Sequence, residues 1–352
     1  MARRPGRRPL TYAAAGVGRR PVARGLAALL ASASYRPPPS SGRRVELAGH
    51  YAGLLRIGRE TLALTTDTVG TKTLLARDLG RWEEVGEDAV AVNVNDLAAV
   101  GARPAAFVDC LSLPRPDPKV LSAIGRGLDR GLRASRAHLL GGETAVVPEL
   151  VRGPDVGGTA LGFFPPGRRP VTGALVRPGD HLVGLASSGL HANGLTLARR
   201  IVRAARWPLS RARPGGPGPL GEEMLRPSRI YVAATEAVAA LPGVSGLAHI
   251  SGGGVRNLVR LNPKVGFELT FGPEPPGLFP FLSELGGVSA REMYQTFNMG
   301  TGFVIVVRPD ALGPVRRRLA GAGYPDAHPL GRVVPEPGVR LPALGLSYHG
   351  YS

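Results

Sequence analysis

Strand-like and helix-like segments take turns along this chain, and one long stretch rich in proline, glycine and arginine interrupts them. "ETLALTTD" has the alternation and β-branched content of a strand, and "TKTLLARDLG" has helical spacing with Gly80 as its stop. "PAAFVDCLSL" and "GTALGFFP" read as strands, while "PKVLSAIGRGLDRGLRASRA" reads as an amphipathic helix through Val120, Ile124, Leu128 and Leu132. "EDAVAVNVNDLAAVGA" carries both periods. Val90, Val92 and Val94 alternate as in a strand, whereas Val85, Ala89, Asn93, Leu97 and Gly101 recur as on one helix face. Its length of about fourteen residues favours helix.

"PPGRRPVTGALVRPGD", residues 165–180, is the best candidate for a domain boundary. A second series follows it: the strand "HLVGLASSG", the helix "NGLTLARRIVRAA" with Asn193 as its cap, the helical "PSRIYVAATEAVAAL", the glycine cluster "AHISGGGVRNLVRL", and "SAREMYQTFNMGTGFVIVVRP" ending as a strand. "RARPGGPGPLG" reads as a surface loop. The expectation is a mixed α/β (α+β) protein with a basic tail over 1–10, an N-terminal domain over 11–166 and a C-terminal domain over 167–352. At 352 residues and 43% hydrophobic content, two cores fit better than one.

The single cysteine, Cys110, excludes an intrachain disulfide and a thiolate zinc site. No run of eighteen apolar residues occurs, and "MARRPGRRPL" lacks the apolar core of a signal peptide, so a soluble, intracellular (cytoplasmic) protein is expected. The formal charge of +18 invites a nucleic-acid role. Against it, lysine occurs only at Lys72, Lys119 and Lys264 and the arginines are scattered, which is a compositional preference rather than a patch.

"TTDTVGTK", residues 65–72, sits at a strand-to-helix junction but is no P-loop: Thr71 separates Gly70 from Lys72, and position 65 lacks glycine. Asp67, the pair Asn95–Asp96, and Glu143 in "GGET" supply three carboxylates and an amide from separate segments. Hard oxygen ligands of this kind suit Mg²⁺ carrying nucleotide phosphates, and a helix starting near Thr71 adds its positive end. Taken singly, each acid reads first as an ordinary cap or surface charge. "SSGLHANG" places His191 in a small loop between strand and helix, where an imidazole can transfer protons near neutral pH. His249 stands beside three glycines that permit close backbone approach to an anion, or simply a tight turn. Ser289 and Glu292 in "SARE" make a capping box, and "TFNMGTG" joins a helix to the strand "FVIVV".

Together these segments resemble one family. "TYAAAGV", "GHYAGLL", "TTDTVGTK", "VNVNDLAAVGARP", "GGETA", "SSGLHANGLTLAR", "SRIYV", "AHISGGG" and "EMYQTFNMGTG" are similar, in order, to the motifs of the phosphoribosylformylglycinamidine cyclo-ligases (aminoimidazole ribonucleotide synthetases) of purine synthesis. The resemblance spans about residues 11 to 335. It implies two α/β domains, a homodimer whose N-terminal sheets join into a barrel, and an active site between the domains. It also implies ATP and Mg²⁺ acting on a phosphoribosyl substrate: the formyl oxygen of formylglycinamidine ribonucleotide is activated as an iminophosphate, and the imidazole ring then closes. Carried over, Asp67, Asp96 and Glu143 become metal and phosphate residues. Gly70, Thr71, Lys72 and Asn95 line the nucleotide site, Lys72 assists phosphoryl transfer, and His191 becomes the acid/base, which requires a pKa near neutral.

The sequence departs from the family where Ala13, Ala14 and Gly18 replace charged residues of the first motif, and where Thr68 replaces the glycine of "DGVGTK". The rival ATP-using relatives fit less well. Selenophosphate synthetases carry an N-terminal reactive cysteine, hydrogenase maturation proteins end in cysteine, and thiamine-phosphate kinases lack the combined "SSGLHANG" and "TFNMG" segments.

Overall fold

The computed structural model describes residue 11 and residues 19–47, 50–270 and 272–351. The basic tail over 1–10, the segment "TYAAAGV" beyond Thr11, and Gly18 lie outside the described residues. Among the described residues, no helix is long and apolar enough to cross a membrane.

Two mixed sheets organise the chain. The first has the order β1 (Arg43–Val45), β2 (Gly53–Ile57), β3 (Glu60–Thr68), β6 (Asp155–Phe163), β4 (Arg103–Leu113) and β5 (His138–Val146). Only β4 and β5 run parallel within it. Helix α1 (Arg19–Ser32) precedes the sheet, and α2 (Lys72–Leu79), α3 (Glu83–Ala98) and α4 (Pro118–Ser135) are inserted between its strands.

The second sheet uses β7 (His181–Ala186), β8 (Val244–His249), β9 (Gly266–Leu269), β10 (Thr301–Val307), β11 (His328–Val334), β12 (Gly338–Leu341) and β13 (Leu346–Tyr348). Their spatial order is β13-β12-β9-β11-β7-β10-β8. Its helices are α5 (Leu195–Ala205), α6 (Leu220–Leu225), α7 (Val232–Val238), α8 (Leu278–Gly286), α9 (Ala290–Thr296) and α10 (Leu312–Gly321). The stretch 165–180 falls between the last strand of one sheet and the first of the other.

The double periodicity of residues 87–102 has a physical cause. Helix α3 is enclosed on nearly every side, so Val90, Val92 and Val94 are as buried as Ala89, Asn93 and Leu97. It lies between the first sheet, α4 and the second domain. Its contact with α4 is unusually close because both helices present glycine: a Cβ on Gly127 would stand 1.9 Å from the Glu83 carbonyl oxygen, and one on Gly86 would stand 2.1 Å from that of Ile124. Asp117 caps α4, accepting from the N–H groups of Lys119 and Val120, and Ile124, Leu128 and Leu132 form its buried stripe.

Three local expectations change. Gly194, not Asn193, occupies the cap of α5, with no side-chain bond. Of the expected capping box only half forms: Ser289 Oγ accepts from the Glu292 N–H, while the Glu292 carboxylate turns to Gln295 and Thr296. The helix foreseen across "PSRIYVAATEAVAAL" is confined to Val232–Val238, because the preceding backbone is engaged by side chains of α3. Thr68 causes no strain: it ends β3 opposite Gly157, ahead of the turn, and the left-handed position belongs to Gly70 at φ +62°.

Candidate active site

Topology brings the polar loops to one place. β7 and β8 both pair antiparallel with β10, so their C-terminal ends lie at the same end of the second sheet, where β10 begins. His191 follows β7, His249 ends β8, and "TFNM" leads into β10. Asn298 ties these loops together. Its Nδ2 donates to Gly189 O at 2.8 Å, and its Oδ1 accepts from Ser187 Oγ at 3.0 Å. Facing them from the first domain are Asp67, at the end of β3, and Asp96, near the end of α3.

Asp96 Oδ1 lies 2.8 Å from His249 Nδ1, across the domain boundary. A carboxylate only accepts, so Nδ1 carries the hydrogen, and in the neutral ring Nε2 is the nitrogen with the lone pair. His249 is almost fully buried and Asp96 half-buried. Asp67 accepts from the Thr68 N–H at 2.8 Å. Although its side chain reaches solvent, crowding by the surrounding protein pushes its pKa up; the neighbouring Asp96 adds to the rise, and His249 and Arg260 oppose it. Asp67, Asp96, His249 and Arg260 therefore form one electrostatic neighbourhood. In the sequence His249 stands out only by its glycines, one of which packs tightly on its own account: a Cβ on Gly254 would stand 2.0 Å from the Tyr294 carbonyl oxygen.

His191 does not meet the expectation of a near-neutral pKa. It is 3% exposed, its Nε2 accepts from the Ser188 N–H at 3.2 Å, and burial, together with the charges around His249, Lys72 and Arg229, holds its pKa well below the ordinary value. Its accepting nitrogen is engaged, and Nδ1–H has no partner among the described residues. This is the environment of a hydrogen-bond donor.

Lys72 and Asn95 also differ from the expected nucleotide-lining role. Both are fully buried. Lys72 Nζ lies 2.5 Å from Asp88 Oδ2 and donates to Arg226 O at 2.7 Å. Asn95 donates to Arg229 O at 2.9 Å and accepts from the Tyr231 N–H at 2.8 Å. Gly70 and Thr71 remain at the junction ahead of α2, with Thr71 Oγ1 2.9 Å from Thr196 Oγ1 of the second domain. Glu143 does not join Asp67 and Asp96. It pairs with Cys110, whereas Asp67 and Asp109 both pair with Gly158, so Glu143 projects from the opposite face of the sheet. Among the described residues, no group of three His, Cys, Asp or Glu side chains could hold a metal ion.

His50 borders this region, and Arg260 donates to its backbone oxygen at 2.9 Å. Burial, followed by the Arg260 charge, lowers its pKa from 6.5 to about 4. The folded protein thus binds fewer protons than the unfolded chain between those values, so this contribution is complete above pH 6.5 and is lost as pH falls toward 4. Wild type is expected to lose roughly 2–3 kcal/mol more than His50→Gln between pH 7 and 4.5. Urea unfolding of both at the two pH values checks this, and equal losses would refute it.

With this geometry in hand, similarity to known proteins is informative. Residues 49–164 match the N-terminal domain, and residues 177–343 the C-terminal domain, of AIR synthase related proteins. A phosphoribosylformylglycinamidine cyclo-ligase of Methanothermobacter thermautotrophicus is 45% identical over 81% of this chain and 83% of its own length. One from Thermococcus gammatolerans is 42% identical over 96% of this chain and 99% of its own. Among solved structures, thiamine monophosphate kinase from Aquifex aeolicus superposes with a TM-score of 0.60 at 17% identity, over 92% of this chain and 97% of that one. E. coli HypE, a hydrogenase maturation protein, superposes with a TM-score of 0.59 at 22% identity, over 82% and 84%. These structures share the fold, two domains each built on a mixed sheet. Sequence similarity across both halves goes further: the chain belongs to the AIR synthase related family.

Proposed function

We infer that this protein carries out the ATP-dependent ring closure of formylglycinamidine ribonucleotide to aminoimidazole ribonucleotide, with release of ADP and phosphate, in purine biosynthesis. Full-length similarity to cyclo-ligases supports the reaction. The observation that carries it to particular residues is the meeting of Asp67, Asp96 and His249 across the domain boundary, with His191 beside them.

The donor set suits Mg²⁺, which takes one or two carboxylates and fills its remaining positions with water and nucleotide phosphates. Asp67, crowded by a second carboxylate, is a group that a divalent cation relieves. Asp67 and the free oxygen of Asp96 would hold the ion, whose charge offsets that of the phosphates. Gly70, Thr71 and the start of α2 orient the phosphate chain through backbone N–H groups. The formyl oxygen attacks the γ-phosphorus, ADP leaves, and the amidine nitrogen then attacks the activated carbon as phosphate departs. His249 Nε2 takes the proton this nitrogen loses, Asp96 holds the imidazole in the required tautomer, and His191 Nδ1–H donates to developing negative charge.

The same reading includes a homodimer in the cytoplasm. The helix-free face of the first sheet exposes Leu55, Ile57, Leu64 and Val108, and a second copy closing on it as a barrel would cover them. Glu143, on that face, would reach phosphates only through this assembly. The deciding experiment measures ADP and aminoimidazole ribonucleotide together: equal amounts are expected, strictly dependent on formylglycinamidine ribonucleotide. ADP release that ignores the substrate would overturn the assignment.

A further inference from the structure

Residues 226–231 join α6 to α7 without regular structure along the boundary with the first domain, and their surroundings explain why. From the first domain, Lys72 holds Arg226 O at 2.7 Å, and Asp88 Oδ1 accepts from Ser228 N at 2.8 Å and from Ser228 Oγ at 2.5 Å. Asn95 takes both Arg229 O and Tyr231 N. Lys72, Asp88 and Asn95 are each wholly buried, and Ser228 nearly so. On its other side the same strap grips the loop that carries His191. Ser188 Oγ donates to Pro227 O at 2.5 Å, Arg226 Nη1 donates to Ser188 O at 3.2 Å, and Tyr231 Oη donates to Ala186 O at 2.8 Å. Ser188 N–H is the group that occupies His191 Nε2.

We propose that Lys72, Asp88 and Asn95 are positioning residues that act through the 226–231 strap, setting the His191 imidazole against the carboxylates of the other domain. The proposal rests on the reaction inferred above and concerns how its site is held in shape. Lys72 is the informative member, since a lysine at this junction is otherwise a natural phosphate ligand. The two roles separate kinetically. A phosphate ligand binds ATP, so its loss raises KM for ATP. A positioning residue leaves nucleotide binding intact and lowers kcat, because a displacement of about 1 Å in a reacting group costs on the order of 100-fold.

The test uses the full-length enzyme carrying Lys72→Met together with Asp88→Leu, which removes both buried charges and leaves neither unpaired. Expected are a cooperative melt, a KM for ATP within about threefold of wild type and a kcat lower by on the order of 100-fold. The ¹⁵N signals of the His191 ring should also shift, which a purely structural loss would not produce. Ser228→Ala, which keeps the ion pair, decides the matter if the double variant does not fold: kcat should fall by about tenfold at constant KM. Unchanged kcat in either variant, or a raised KM for ATP with kcat intact, overturns the proposal. Lack of substrate-dependent turnover by wild type overturns the reaction itself, so the two failures are distinguishable.

Discussion

Replacing His249 by alanine is expected to slow turnover by a factor of about 100 to 10,000, the usual contribution of a positioned general base. The imidazole is nearly sealed from solvent, and Asp96 holds Nδ1 at 2.8 Å, so water cannot readily stand in for Nε2. The defect should lie in ring closure rather than in phosphoryl transfer. Rapid-quench experiments on His249→Ala should therefore show ADP forming in a burst, followed by slow appearance of the imidazole product. Asp96→Asn should impair the same step, because an amide can donate to Nδ1 and stabilise the wrong tautomer, and it should slow phosphoryl transfer as well, because it removes charge from the site assigned to the ion. Turnover of His249→Ala within about tenfold of wild type would remove His249 from the mechanism.

A second large effect is expected far from the chemistry. Gly127→Leu should destabilise the protein by about 3 kcal/mol or more, the upper range for overpacking a close-packed interior. The obstacle is backbone: a Cβ at this position already meets Glu83 O at 1.9 Å, and α3 cannot retreat because its other sides bear on the sheet and on the second domain. Gly127→Ala should show the same sign with a smaller magnitude. Denaturant unfolding measures both, and a loss below about 1 kcal/mol for the leucine variant would show that the helices separate easily.

Much of the architecture is legible in the sequence because it is local. The strand ending at Thr68, the glycine turn, the amphipathic α4 and the apolar strand β10 each announce themselves through spacing and punctuation. The polar residues of the site are visible as types; their roles are not. Whether a histidine serves as base or donor depends on what its two nitrogens meet, and the partner of His249 lies 153 positions away. Lys72 and Asn95 look like nucleotide ligands from their motifs, yet their hydrogen bonds run to a strap more than 130 residues downstream. A signal for this existed. Asp88 stands at the head of the apolar run Ala89–Val92, one position past Glu87, where an acid that turns inward needs a buried partner. For Glu143, neither the strand His138–Val146 nor the side of the sheet it leaves from is announced by "GGET", because both depend on pairing with β4, which no local pattern reveals.

The enclosure of α3 also bears on how the chain is made. Asp88 and Asn95 emerge from the ribosome with the first half of the protein, but Ser228 and Tyr231 follow 140 and 136 residues later. Until then the nascent first domain carries a seam of polar groups awaiting partners, on the helix that also supports its sheet. The two halves are thus successive stages of one folding reaction, and a chain halted before Arg226 would be a poor substitute for either.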